Sequence, residues 1–74
     1  MVTGQIVRLI KDRGFGFIKD ESGQEYFFHF SALDPRNQVK FENLLEGNRV
    51  EFQFETGDKG PRAIARSMSV VSGV

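Results

Sequence analysis

Turn-forming clusters recur along this chain at short intervals: Asp12-Arg13-Gly14, Glu21-Ser22-Gly23, Glu46-Gly47-Asn48 and Thr56-Gly57-Asp58-Lys59-Gly60-Pro61. Glycine supplies positive φ at such sites, and Asp, Asn and Ser bond back to nearby backbone, so the elements between them must be short strands. Five intervening stretches rich in β-branched and aromatic residues read as strands: about Thr3 to Ile10, Phe15 to Lys19, Glu25 to Phe30, Arg49 to Glu55 and Arg62 to Val71. The long interval Ser31 to Glu46 holds the turn signal Asp34-Pro35-Arg36-Asn37 and only Leu33, Val39, Phe41, Leu44 and Leu45 as anchors. It reads as a loop with one helical turn at its start. No segment sustains an amphipathic helical pattern. Five short strands must manage their edges, and a small antiparallel barrel of the OB type does so, with an SH3-like barrel as the competing architecture. The expectation is one all-β domain over residues 1–74, a five-stranded antiparallel OB-fold barrel with a frayed tail from about residue 72 to 74.

Composition narrows the chemistry. At 74 residues with 39% hydrophobic side chains and no cysteine, the chain has neither disulfides nor thiolate metal ligands, and His29, its single histidine, makes no metal site alone. No metal or cofactor is expected. Stability must come from packing, and cores of this size rarely supply more than about 3–5 kcal/mol, so every ring spent on the surface needs a reason. No apolar run approaches a membrane span and no export signal opens the chain, so a cytoplasmic location is the expectation. Formal charge is zero, which removes the simplest argument for a nucleic-acid binder. Its distribution is uneven: residues 1–19 carry +3, residues 20–58 carry −6 and residues 59–74 carry +3. A fold that joins the two ends makes one face locally positive.

Two strands hold the informative residues. In Gly14-Phe15-Gly16-Phe17-Ile18, the period of two puts Phe15 and Phe17 on one face and Gly16 and Ile18 on the other. In Tyr26-Phe27-Phe28-His29-Phe30, Phe27 and His29 share a face opposite to Tyr26 and Phe28. The short turn over Glu21 to Gln24 makes the two strands a hairpin. Ile18, Tyr26 and Phe28 are the better core candidates, joined by Ile6, Val50 and Phe52, which leaves Phe15, Phe17, Phe27 and His29 outside. Placing all eight phenylalanines in the core fails on adjacency, because Phe27 and Phe28 cannot both point inward from a regular strand. Neighbouring exposed rings form a patch that marks a binding surface. With Arg13 and Lys19 beside it, the patch suits a single-stranded nucleic acid, whose bases stack on rings while basic side chains follow the phosphates.

These residues resemble the cold-shock domain family. Arg13-Gly14-Phe15-Gly16-Phe17-Ile18 is similar to its first RNP-type motif and Tyr26-Phe27-Phe28-His29-Phe30-Ser31-Ala32-Leu33 to its second, in the family's order and spacing. Gly4, Leu44-Leu45-Glu46-Gly47 and Lys59-Gly60-Pro61-Arg62-Ala63 extend the likeness over nearly the whole chain. An RRM carries its two motifs in the reverse order and needs two helices. The resemblance implies a five-stranded antiparallel barrel that binds single-stranded RNA and DNA, prefers pyrimidine-rich stretches and acts as an RNA chaperone keeping transcripts unpaired. It places stacking at Phe15, Phe17, Phe27, His29 and Phe30, a capping loop aromatic at Phe41, basic contacts at Arg13 and Lys59, and a base-edge acceptor at Glu25. Where the family has Lys-Trp-Phe-Asn, this chain reads Val7-Arg8-Leu9-Ile10, so Arg8 stands at the Trp position. A guanidinium plane can stack on a base and also meet a phosphate. The loop over Asp34 to Lys40 is also a few residues longer than in compact bacterial members.

Other signals are plainer. His29 belongs to the aromatic strip and has no adjacent nucleophile to serve. Gly57 to Gly60 lacks the helix that a phosphate-cradling loop requires and reads as a hairpin loop. Glu42, Glu46, Glu51, Glu55 and Asp58 read as a solvated face that repels nucleic acid from that side. No paired carboxylate, nucleophile or cofactor motif supports an enzyme. A monomer is expected; the competing function is a protein-interaction barrel that uses the same ring face to bind a peptide or a second copy of itself.

Overall fold

In a computed structural model of the chain, residues 1–36, 39–58 and 60–72 are described. Seven strands form one curled sheet: β1 Val2–Ile10, β2 Phe15–Asp20, β3 Glu25–His29, β4 Arg49–Phe52, β5 Phe54–Gly57, β6 Gly60–Ala63 and β7 Ser69–Ser72. Their order is β5-β6-β3-β2-β1-β4-β7. There is no α-helix among the described residues, only 3₁₀ turns at Lys11–Arg13, Phe30–Ala32 and Phe41–Asn43. The turn at Phe30–Ala32 is the one expected at the start of the long interval; the turn at Phe41–Asn43 was not legible. Asn37 and Gln38, in the loop that reads as longer, lie outside the described residues.

The count of seven in place of five has a local cause. The fourth expected strand breaks at Gln53, whose N–H donates to Ser67 Oγ (3.2 Å) and whose carbonyl accepts from Ile64 N (2.8 Å). The fifth breaks over residues 64–68, where Arg66 takes a positive φ of 65° and its N–H donates to the Ser31 carbonyl (2.9 Å). The two breaks clamp each other. They let β4 stay beside β1 while β5 leaves to pair with β6, so each long stretch serves two parts of the curled sheet. Neither break contains Gly or Pro, so turn chemistry gives no warning of it. One pair is also parallel: β6 lies along β3 with Arg62 opposite Phe27, where an antiparallel sheet was expected. Ser72, assigned to the tail, pairs with Arg49 at the end of β7, and residues 73–74 lie outside the described residues.

The core contains Ile6, Ile18, Tyr26, Phe28, Val50 and Phe52, the six expected from alternation, together with Ala32, Leu44, Ala63 and Met68. Ala32, Leu44 and Met68 stand in or beside turns, where a period of two does not apply. Gly16 lies opposite Phe28, and a Cβ there would stand 2.6 Å from the Arg8 carbonyl and 2.8 Å from the Phe28 ring. Only glycine lets that ring approach β2 so closely.

The β2–β3 turn is built on Asp20. Its Oδ1 accepts from Ser22 N (2.9 Å), Ser22 Oγ (2.7 Å) and Gln24 N (3.0 Å), and its Oδ2 accepts from the Tyr26 hydroxyl (2.8 Å). These bonds, the Ser22 hydroxyl first and the Tyr26 hydroxyl second, hold the Asp20 carboxyl below its usual range against a small opposing effect of burial. A carboxyl lowered by folding stabilises the fold fully above its unfolded value near pH 4, and the contribution is lost as pH falls through the lowered value. Asp20→Asn is therefore expected to lower the urea midpoint at neutral pH, with the gap to wild type narrowing on acidification to about pH 3. A gap of constant size across that range rules out the carboxylate as the source.

Candidate functional site

The β2–β3 ladder sets Phe17 directly opposite Phe27 and Phe15 opposite His29. The inner face of the same ladder holds Gly16 with Phe28 and Ile18 with Tyr26. On the outer face, the Phe15 and Phe27 rings lie 5.5 Å apart and tilted by 34°, and Phe17 meets Phe15 and Phe27 edge-on at 6.1 and 6.0 Å. Such edge and tilted pairs are worth about 0.5–1.5 kcal/mol beyond area burial, which offsets part of the cost of keeping three rings out of the core. Phe15 and Phe17 are half-buried by this mutual packing, and Phe27 is exposed.

A second ring group continues from the end of β3. His29 and Phe30 lie 4.3 Å apart, and Phe41 meets Phe30 edge-on at 6.3 Å while its other contact, Phe28, is part of the core. His29 Nδ1 accepts from Ser31 N (3.3 Å) and bonds Ser31 Oγ (3.0 Å), which fixes the ring as the cap of the following 3₁₀ turn. Phe30 N donates to the Gly14 carbonyl (2.8 Å), and Lys11 Nζ donates to the Glu42 carbonyl (3.0 Å), tying the turns together. Phe15, Phe17, Phe27, His29, Phe30 and Phe41 thus form one surface strip.

Arg8 reaches this strip through a β-bulge. In β1, Ile6 pairs with Ile18 but Arg8 pairs with Phe17, so Val7 is an extra residue. A regular strand would set Arg8 opposite Gly16 and turn it inward. The turn before β4 holds the bulge open: Gly47, at φ 100°, donates its N–H to the Ile6 carbonyl (2.7 Å), and Ile6 N donates to the Asn48 carbonyl (2.9 Å). Asn48 is the buried polar residue of the core region, and its Oδ1 accepts from Leu45 N (3.0 Å) to close that turn.

Registers across neighbouring strands then extend the row. Arg8 on β1, Phe17 on β2, Phe27 on β3, Arg62 on β6 and Glu55 on β5 are successive partners. Arg62 was not among the expected site residues, because its place beside Phe27 follows from the parallel β3–β6 pair. Only the alternation that turns Ala63 inward points Arg62 outward, and it does not say next to what. Between the rings and the β5–β6 hairpin lies an open groove of about 670 Å³, bordered by Phe17, Phe27, Pro61 and Arg62. Glu25 lies opposite Lys19 and borders a smaller depression of about 320 Å³ with Arg8 and Phe17. Arg13 is exposed in the 3₁₀ turn before β2, and Lys59 lies outside the described residues. Among the described residues, no group of three or more His, Asp or Glu is placed to hold a metal ion, and no helix is long and apolar enough to cross a membrane.

Flat apolar faces flanked by guanidinium groups can hold planar ligands by stacking. Comparison with known proteins agrees with the strip's motifs. Residues 2–67 match the family described as the 'Cold-shock' DNA-binding domain. The chain is 41% identical over 64 residues to the major cold shock protein of Streptococcus pyogenes, a match that covers 86% of this chain and 91% of the relative. It is 41% identical over 63 residues to the cold shock-like protein CspLB of Listeria monocytogenes (85% and 91%). A major cold shock protein, CspA, of Bacillus cereus is 40% identical over 62 residues (84% and 88%). With the family pattern matched over residues 2–67 and both ring-bearing strands in place, the chain belongs to the cold-shock domain family.

Proposed function

We propose that this chain binds single-stranded RNA and DNA by stacking bases on the outer face of the β2–β3 hairpin, and that it serves as a cytoplasmic RNA chaperone that keeps transcripts unpaired. The observation that carries this reading is the ring strip itself, whose members Phe15, Phe17, Phe27 and His29 alternate with buried residues on the same two strands. Phe15, Phe17, Phe27, His29, Phe30 and Phe41 supply the stacking faces. Arg8, Arg13 and Lys59 meet phosphates, Arg8 also offers a stacking plane, and Glu25 accepts from a base edge. Pyrimidine-rich strands are preferred, and the binding unit is a monomer of one domain. The curled sheet is read as an OB-type barrel in which β4 with β5, and β6 with β7, are each one long strand bent at a break. Chain continuity across Gln53 and across residues 64–68 supports that reading.

The test is fluorescence anisotropy of short labelled oligo-dT, oligo-U and a matched duplex at two salt concentrations. Single strands are expected to bind in preference to the duplex, with a shallow salt dependence of about one log–log unit or less per phosphate contact. Failure of folded protein to bind either single strand overturns the proposal and leaves the ring face to a protein partner or a second copy of the chain.

A further inference from the structure

The cross-strand row that contains Phe17 and Phe27 ends in a carboxylate, which puts Glu55 on the ring side and not on the separate acidic face expected from the sequence. Glu55 stands directly opposite Arg62; its Oε1 accepts from Nε (3.0 Å) and lies 2.9 Å from Nη2 as an ion pair. The Arg62 side chain runs over Gly57, where a Cβ would be 3.5 Å from Nε, so the guanidinium is seated between a bare backbone and a carboxylate. Arg62 is at the same time the neighbour of Phe27 on β3 and borders the groove beside it. A cation in that place is positioned to take a phosphate of any polyanion, paired or unpaired. Here its charge is already answered by a residue of the same face, and both side chains are open to solvent, at 55% and 49% exposure. An exposed pair of this kind adds little to stability, so the fold gives no strong reason for it.

We infer that Glu55 is a selectivity residue of the groove: by engaging Arg62 it withdraws a guanidinium from phosphates, so that the rings admit stackable bases while ligands offering only backbone charge are held weakly. The inference rests on the single-strand binding proposed above. Phosphate contacts raise affinity for every nucleic acid, and more for a duplex, whose denser charge gives a slope of about 0.9 per contact against about 0.7 for a single strand, whereas stacking requires bases that are free of their partners. Cancelling one such contact therefore lowers affinity for both and raises the ratio between them.

The experiment compares wild type, Glu55→Gln, Arg62→Gln and the double variant, each shown to be folded by its thermal transition. Anisotropy is recorded with labelled oligo-dT and a matched duplex over a salt series. Glu55→Gln is expected to bind oligo-dT about fivefold more tightly at low salt, the scale of one exposed ion pair, and the duplex by a larger factor. Its salt slope on the single strand should steepen by about 0.7, the value for one added phosphate contact. In the Arg62→Gln background the steepening should vanish. Wild type that binds oligo-dT while Glu55→Gln leaves both slope and single-strand preference unchanged overturns the inference alone, as does an equal steepening without Arg62. Wild type that fails to bind oligo-dT overturns the binding proposal and the inference with it, and is read without any variant.

Discussion

Phe28→Ala is expected to unfold this chain at room temperature. The ring is fully buried, faces Gly16 across the hairpin and meets Phe41 edge-on at 6.2 Å. Truncating a buried Phe to Ala costs about 3–5 kcal/mol in lost transfer energy and cavity formation. A domain of this size holds about that much in total. Gly16 has no side chain to move into the space, so the site cannot refill from β2. Circular dichroism with a urea titration checks the outcome. A cooperative transition near the wild-type midpoint would show that the core around residue 28 closes over the cavity.

The next residue along the strand gives the opposite result. Phe27→Ala is expected to leave the fold intact and to weaken single-strand binding by about 1–3 kcal/mol, as is Phe15→Ala. Phe27 is 37% exposed and its ring contacts are with Phe15 and Phe17, outside the core. Anisotropy with oligo-dT measures the loss, and the urea midpoint shows that the fold persists. A folded Phe15→Ala, Phe27→Ala double variant with wild-type affinity would remove the stacking site from consideration. Two neighbouring substitutions of the same kind thus separate stability from binding, because the pleat sends consecutive side chains to opposite faces.

What could be read from residue order was whatever depends on neighbours in sequence. Alternation in Phe15 to Ile18 and Tyr26 to His29 assigns both faces of the hairpin, and the Ile18, Tyr26 and Phe28 it turns inward are buried, as are Ile6, Val50 and Phe52 from the first and fourth strands. The features it missed depend on segments far apart in the chain. The bulge at Val7 exists because the turn at Gly47 and Asn48 docks on Ile6, more than forty residues away. The strand breaks at Gln53 and residues 64–68 hold each other through Ser67 and Ile64, none of which is a turn-forming glycine or proline. Arg62 joins the row only through the parallel approach of β6 to β3, and Leu44 and Met68 enter the core from outside any strand. Sequence locality explains the split: hairpin registers are set by adjacent turns, whereas closure of the sheet is set by long-range pairing.

The same division has a consequence in time. β1, β2 and β3 pair in succession and carry most of the ring strip, so they are available early as the chain leaves the ribosome. Their inner face, with Ile6, Ile18, Tyr26 and Phe28, is covered by Leu44, Val50, Phe52, Ala63 and Met68, which are made later. Until Met68 has emerged, the nascent meander exposes apolar side chains on both faces, the condition under which partly folded strands adhere to one another. Folding is thus deferred until the segment around Met68 has emerged, and the outer ring face is laid out before the inner face that keeps it in shape is covered.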